Sequence, residues 1–190
     1  MHRISFLVLL SFLASCSSAP TVVYTLTAVP PTRSASAGPP LQPPIELGQV
    51  MIPGIIDRDT VVVAAPGGQI DLSGQAVWGA PLQEMIRRTL SASLAGRLPR
   101  GSVLDPGDPS PPGGLRILLV NIQQFWGDTN GHVTLIADWS LTRAGNATGE
   151  PHHVVIRTEA GSGAVSAIVP AMSRALAEMA DRIAATLAMT

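Results

Sequence analysis

The chain contains no lysine; its twelve basic residues are all arginine. Charged side chains make up only 13% of the 190 residues and aromatic ones 4%, against 46% hydrophobic. So little charge beside so much apolar material excludes a self-repelling disordered chain and predicts a folded body. A formal net charge of −1 leaves too few spare cations to neutralise a run of phosphates, so no nucleic-acid partner is expected. The single cysteine, Cys16, excludes an internal disulfide. Catalytic signatures are missing as well: there is no Gly-x-Ser-x-Gly elbow, no His-Glu-x-x-His pair and no second cysteine to act as a nucleophile. The adjacent His152 and His153 would point to opposite faces of a strand and so cannot readily share one metal. Asp57 and Asp59 flanking Arg58 read as a turn-stabilising cluster. The residues thus predict no enzyme, no metal and no other cofactor.

What is present begins at the N-terminus. His2 and Arg3 precede an almost unbroken apolar run from Ile4 to Leu13, and Ala14 and Ser15 are small residues just before Cys16. This is the pattern of a secretory signal peptide, since a run of about ten residues is half of the roughly 20 that a spanning helix needs. Leu13-Ala14-Ser15-Cys16 resembles a lipobox, in which the cysteine thiolate takes a diacylglycerol and signal peptidase cuts before it. With each buried methylene contributing about 0.8 kcal/mol, two or three acyl chains would hold the protein on a bilayer essentially permanently. The membrane is therefore an expected partner through an N-terminal lipid on Cys16. Ser17, where an aspartate would signal retention, resembles the sorting signal of enteric-type lipoproteins bound for the periplasmic side of the outer membrane.

Residues 1–15 are read as the signal peptide, 16–44 as a lipidated N-terminus with a Pro/Ser-rich tether or loop, and 45–190 as one folded domain. Fully extended at roughly 3.1 Å per residue, the Pro-rich stretch would reach about 50 Å. Ile45 to Ile56 and Thr60 to Ala65 are β-branched runs broken at Pro53-Gly54 and 57–59, which predicts two strands joined by a turn. Leu82, Met85, Ile86, Leu90 and Leu94 recur at helical spacing behind Pro81. Leu115 to Phe125 and His132 to Thr142 flank a turn rich in Gly, Asp and Asn and predict a hairpin, with Val133, Leu135, Ala137 and Trp139 on its buried face. A third strand is expected over His152 to Glu159. Ile168, Met172, Leu176, Met179, Ile183 and Leu187 then form one stripe of a last helix, with Ser166 as its cap. The order predicts an α+β fold of two layers, a mixed or antiparallel sheet with two amphipathic helices packed on one face. Trp139 is expected in the core, while Trp78 and Trp126 are candidate interface anchors.

In order and spacing, these landmarks resemble the ABC-type transport auxiliary lipoproteins (PqiC/YmbA-like). The pieces are Tyr24-Thr-Leu26 soon after the lipobox, then Ile52-Pro53 with Ile56-Asp57-Arg58 and Val61-Val62-Val63. Val77-Trp78-Gly-Ala-Pro81-Leu82 follows, then Gly131-His-Val-Thr-Leu135 with Ala137-Asp-Trp139-Ser-Leu141, and finally the Ala-rich last helix. The resemblance implies a non-catalytic subunit of a lipid transport system in which an MCE-domain protein bridges the periplasm. It also implies docking on that protein as a homo-oligomer. Tyr24, Leu26, Pro53, Asp57, Arg58, Trp78, Pro81, Leu82, Trp126 and Trp139 become candidates for structural or partner contacts. Two alternatives stay open: a structural or assembly lipoprotein of another envelope machine, and an anchored hydrolase suggested by compartment alone.

Overall fold

The fold is organised around one long strand. The computed structural model describes residues 20–32, 38–143 and 149–189; the lipobox and most of the turn before Pro151 lie outside them. Eight strands form one mixed sheet: β1 (Val22–Tyr24), β2 (Ile45–Met51), β3 (Thr60–Ala65), β4 (Gln69–Trp78), β5 (Val103–Leu104), β6 (Arg116–Asp128), β7 (His132–Arg143) and β8 (Pro151–Glu159). Helices α1 (Leu82–Ala95) and α2 (Val165–Leu187) complete it, side by side against the sheet. The expected α+β fold is thus the observed one, with more strands than the sequence patterning disclosed.

The hairpin forms as its alternation predicts. β6 and β7 pair antiparallel from Arg116↔Arg143 to Gly127↔Val133, and β8 adds to the far edge of β7. Val133, Leu135, Ala137 and Trp139 are all buried, and so are Leu118, Val120, Ile122 and Phe125 on β6. A register shift between Ile122 and Gln124 changes which β6 residues face the helices, so that Phe125 is buried and Trp126 half-buried. At the tip, Asp128 accepts hydrogen bonds from the backbone N–H groups of Asn130 and His132, both at 2.9 Å. Gly131 adopts φ 88°, a conformation that favours glycine.

On the other edge of β6 the sequence reading needs revision. β2 pairs parallel with Arg116–Asn121, and β3 pairs parallel with Gly127 and Asp128 further along the same strand. The turn at Pro53-Gly54 therefore does not reverse the chain. It forms a loop, pinned by Ile56 N–H donating to the Pro53 carbonyl at 3.0 Å, after which the chain rejoins β6 in the same direction. The hairpin in this region is instead β3 with β4, joined by a tight turn at Pro66–Gly68. β4 goes beyond the strands expected here: Ile70 and Leu72 alternate with Gln69, Asp71 and Ser73, but Gly74 interrupts the pattern halfway along.

Both helices bury the predicted stripes. Leu82, Met85, Ile86, Leu90 and Leu94 of α1 are buried, as are all six stripe residues of α2. Ala171, Ala175 and Ala180 are also buried and allow α2 to lie close to its neighbours. The α2 cap is not Ser166, which lies inside the helix; Ala164 occupies the cap position and makes no side-chain bond there. Each fully buried aliphatic side chain contributes roughly 1.5–3 kcal/mol, so these two stripes hold the layers together.

Contact between α2 and the sheet leaves no room at Gly127, where an added Cβ would sit 2.7 Å from Ile168 Cγ2. Gly127→Ala is expected to cost about 1–3 kcal/mol in a denaturant titration, the range for overpacking. In an Ile168→Ala background the same change should cost clearly less; an equal cost in both backgrounds would contradict the contact.

Candidate functional site

Five of the sequence-selected residues converge where the N-terminal segment meets the start of α1. β1 pairs parallel with the end of β4, with Tyr24 opposite Trp78. The Gly79 N–H donates to the Tyr24 carbonyl at 2.8 Å, and the Trp78 N–H donates to the Asp59 carbonyl at 2.7 Å. Leu26, Trp78 and Leu82 are buried side by side in the core. Pro81 stays exposed, and its carbonyl accepts the first helical hydrogen bonds, from Glu84 and Met85. A cavity of about 460 Å³ opens at this corner between Thr25, Leu26, Pro81, Met85 and Arg88. Pro53, Asp57 and Arg58 occupy the neighbouring loop. Arg58 and Asp57 are exposed there, with Arg58 Nε donating to the Ile55 carbonyl at 3.0 Å.

The charges beside this corner are on the first turns of α1, and no motif pointed to them. Glu84 accepts two hydrogen bonds from Arg87 at 2.8 Å and one from Arg88 at 2.6 Å. These bonds, Arg87 first and Arg88 second, hold the Glu84 carboxyl down to about 2 despite some loss of solvent. In turn Glu84 raises Arg87 above its ordinary value. Spacings of three and four residues on a helix were a legible signal for this cluster.

Between the helices, Arg97 ties three parts of the chain together. Its side chain is only 5% exposed and pairs with Asp181 of α2 at 2.6 Å. One guanidinium nitrogen also donates to the carbonyls of Val29 and Ser93. The Thr27 N–H donates to Ser173 Oγ at 3.2 Å, so residues 25–31 cross the helix pair as a strap. Further on, the Leu41 N–H donates to the buried Ser102 hydroxyl, and the Pro44 carbonyl accepts from Arg116 N–H. The described parts of the Pro-rich stretch are thus a loop laid on the domain.

Trp126 and Trp139 belong elsewhere. Trp139 is 5% exposed and stacks on His152, with ring centroids 4.1 Å apart. Trp126 is half-buried and packs against the hydrophobic core. The sheet face away from the helices carries Met51 and Leu119, both well exposed, beside a groove of about 390 Å³ bordered by Asp138 and Pro151. The two adjacent histidines diverge as expected: His153 Nδ1 lies 2.7 Å from Asp138, while His152 stacks on Trp139. His132 contacts Asp128, and bonding to that carboxylate raises its pKa above the ordinary value. Among the described residues no three His, Cys, Asp or Glu side chains converge as metal ligands, and no helix is long and apolar enough to cross a membrane. Cys16, Leu13, Ala14 and Ser15 lie outside the described residues.

Comparison with known proteins gives a family and a fold. The family model described as "ABC-type transport auxiliary lipoprotein component" matches residues 24–184. A crystal structure of an uncharacterised protein superposes with a TM-score of 0.69 at 20% identity, covering 89% of this chain and 99% of the other. A second, from Xanthomonas campestris and assigned to a family of unknown function, gives a TM-score of 0.68 at 14% identity, covering 86% and 93%. At these identities the likeness concerns the fold. No curated protein matches the sequence.

Arg97→Ala should cost about 2 kcal/mol, because it strips a nearly buried site of charge-assisted hydrogen bonds. Amide hydrogen exchange should rise across residues 25–31, and Arg97→Lys should not restore protection, because lysine lacks the planar fork. Unchanged exchange in the strap would refute its tie to Arg97. The Glu84 cluster makes a separate pH prediction. A carboxyl lowered on folding from 4.5 to about 2 stabilises the native state above pH 4.5. That contribution, about 0.5 kcal/mol for exposed helical pairs, fades as pH falls towards 2. Glu84→Gln should flatten this part of the stability profile.

Proposed function

Because the chain belongs to the family of ABC-type transport auxiliary lipoprotein components, we propose that it is a non-catalytic periplasmic subunit of an MCE/ABC-type lipid transport system. In this reading a lipid on Cys16 anchors it at the outer membrane, where it docks the periplasm-spanning MCE-domain protein as a homo-oligomer. The observation that carries the reading is the family match, which runs from Tyr24 in β1 almost to the end of α2. Two features of the chain support it. The lipobox-like Leu13-Ala14-Ser15-Cys16 supplies the attachment chemistry with a cysteine that has no disulfide partner. The sheet face away from the helices offers the exposed Met51 and Leu119, side chains suited to a partner surface.

Docking of this kind needs complementary surface more than chemistry. A stable interface of standard size takes about 800 Å² from each partner. The candidates Tyr24, Leu26, Trp78 and Leu82 would act by holding the corner in shape, since little of Leu26, Trp78 or Leu82 reaches the surface. Trp126, Pro81, Asp57 and Arg58 are the members that a partner could touch directly.

Affinity capture of the native, acylated protein from detergent-solubilised membranes should recover an MCE-domain protein together with an ABC-type permease. Recovery of a different envelope assembly, with neither component, would favour the structural or assembly role instead. Cys16→Ser should move the protein to the soluble fraction or leave it uncleaved, with the melting temperature of the folded domain unchanged.

A further inference from the structure

We infer that the β1 edge of the domain rests on the bilayer surface that holds its own lipid anchor; this rests on the reading that Cys16 is acylated. The sheet begins at Val22, which pairs with Ala76 of β4. Only five residues lie between Cys16 and Val22, so the chain takes six steps from one to the other, each of about 3.3–3.6 Å when fully extended. The start of β1 therefore lies within about 20 Å of the acylated sulfur, a distance comparable to the headgroup region and its hydration layer. The Pro-rich stretch that follows β1 adds nothing to this reach. It comes after the sheet has already captured the chain, and its first described residues are strapped across the helices through Arg97 and Ser173.

The surface at that point is apolar. Val22 is 47% exposed and Val23 65% exposed, unusual for β-branched residues within a strand. Leu72, 45% exposed, lies on β4 four residues before the partner of Val22. β1 pairs with Ala76–Trp78, and among the described residues no strand pairs with that edge of the preceding part of β4. No charged side chain occurs between Cys16 and Arg33, so nothing in the connecting segment resists the interfacial zone. Exposed aliphatic groups at the end of a short, uncharged leash have one apolar neighbour always within reach, the lipid in which the leash is fixed. The loop through Asp105, Asp108 and Ser110 follows β5, the strand that ends the sheet path opposite to β1.

The test uses the full acylated protein in vesicles of phosphatidylethanolamine and phosphatidylglycerol. Acylation consumes the only native thiol, so a cysteine introduced at Val23, Leu72 or, as the distal control, Ser110 can be labelled with an environment-sensitive fluorophore. Val23→Cys and Leu72→Cys labels should be blue-shifted and quenched several-fold less by aqueous iodide than the Ser110→Cys label. Insertion of a twenty-residue Gly/Ser segment between Ala19 and Pro20 should reduce that difference. Equal quenching at all three positions in protein that intact-mass spectrometry shows to be acylated would overturn the docking while leaving the anchor in place. A mass without acyl chains would overturn the anchor and the docking together.

Discussion

The structure depends on the hydrogen-bonding demand of β6. A strand of this length presents backbone donors and acceptors along both edges, and in a folded domain those groups must be paired. β7 satisfies one edge from end to end, while β2 and β3 share the other in succession. The consequence is a sheet whose N-terminal and C-terminal parts are welded through one central strand. Its alternation fixes which face is apolar, and α1 and α2 cover that face with their buried stripes. The other face is open around Met51 and Leu119 but covered at β3, where Val61, Val62 and Val63 are all buried.

The N-terminal segment gains its meaning from the same architecture. β1 is three residues long and would not persist alone, yet it pairs with β4 and continues into a strap held by Arg97, Asp181 and Ser173. With Cys16 acylated as proposed, this segment would be the mechanical link between acyl chains and domain. Its attachment at β1, ahead of the Pro-rich stretch, would keep that link short. A flexible tether placed after the first strand cannot act as a tether at all.

Legibility in the sequence followed the strength of the local pattern. The β6–β7 hairpin, β8 and both helices were readable because each buries one face, which writes a period of two or of 3.6 into the residues. β4 and the parallel course of β2 and β3 were not. β2 and β3 take their register from β6, far away in the chain, and a turn such as Pro53-Gly54 looks the same whether the chain reverses or continues after it. The motif residues Tyr24, Leu26, Trp78, Pro81 and Leu82 could be picked out singly, but nothing in their spacing says that they meet at one corner. Glu84, Arg87 and Arg88 carried a helical spacing signal, whereas the bond from Arg97 to Val29 carried none.

Two kinds of information can therefore be separated. The amino-acid sequence by itself determined the candidate anchor at Cys16, the fold class and the apolar faces, because lipobox chemistry and hydrophobic periodicity are local properties of short segments. Tertiary structure alone decided that Trp78 is enclosed while Trp126 stays half-buried against the core, that the described parts of the Pro-rich stretch lie on the domain, and that Val22 and Val23 stand exposed at a sheet edge. Those outcomes depend on which distant strands and helices pack against each residue, and burial is a property of the assembled chain.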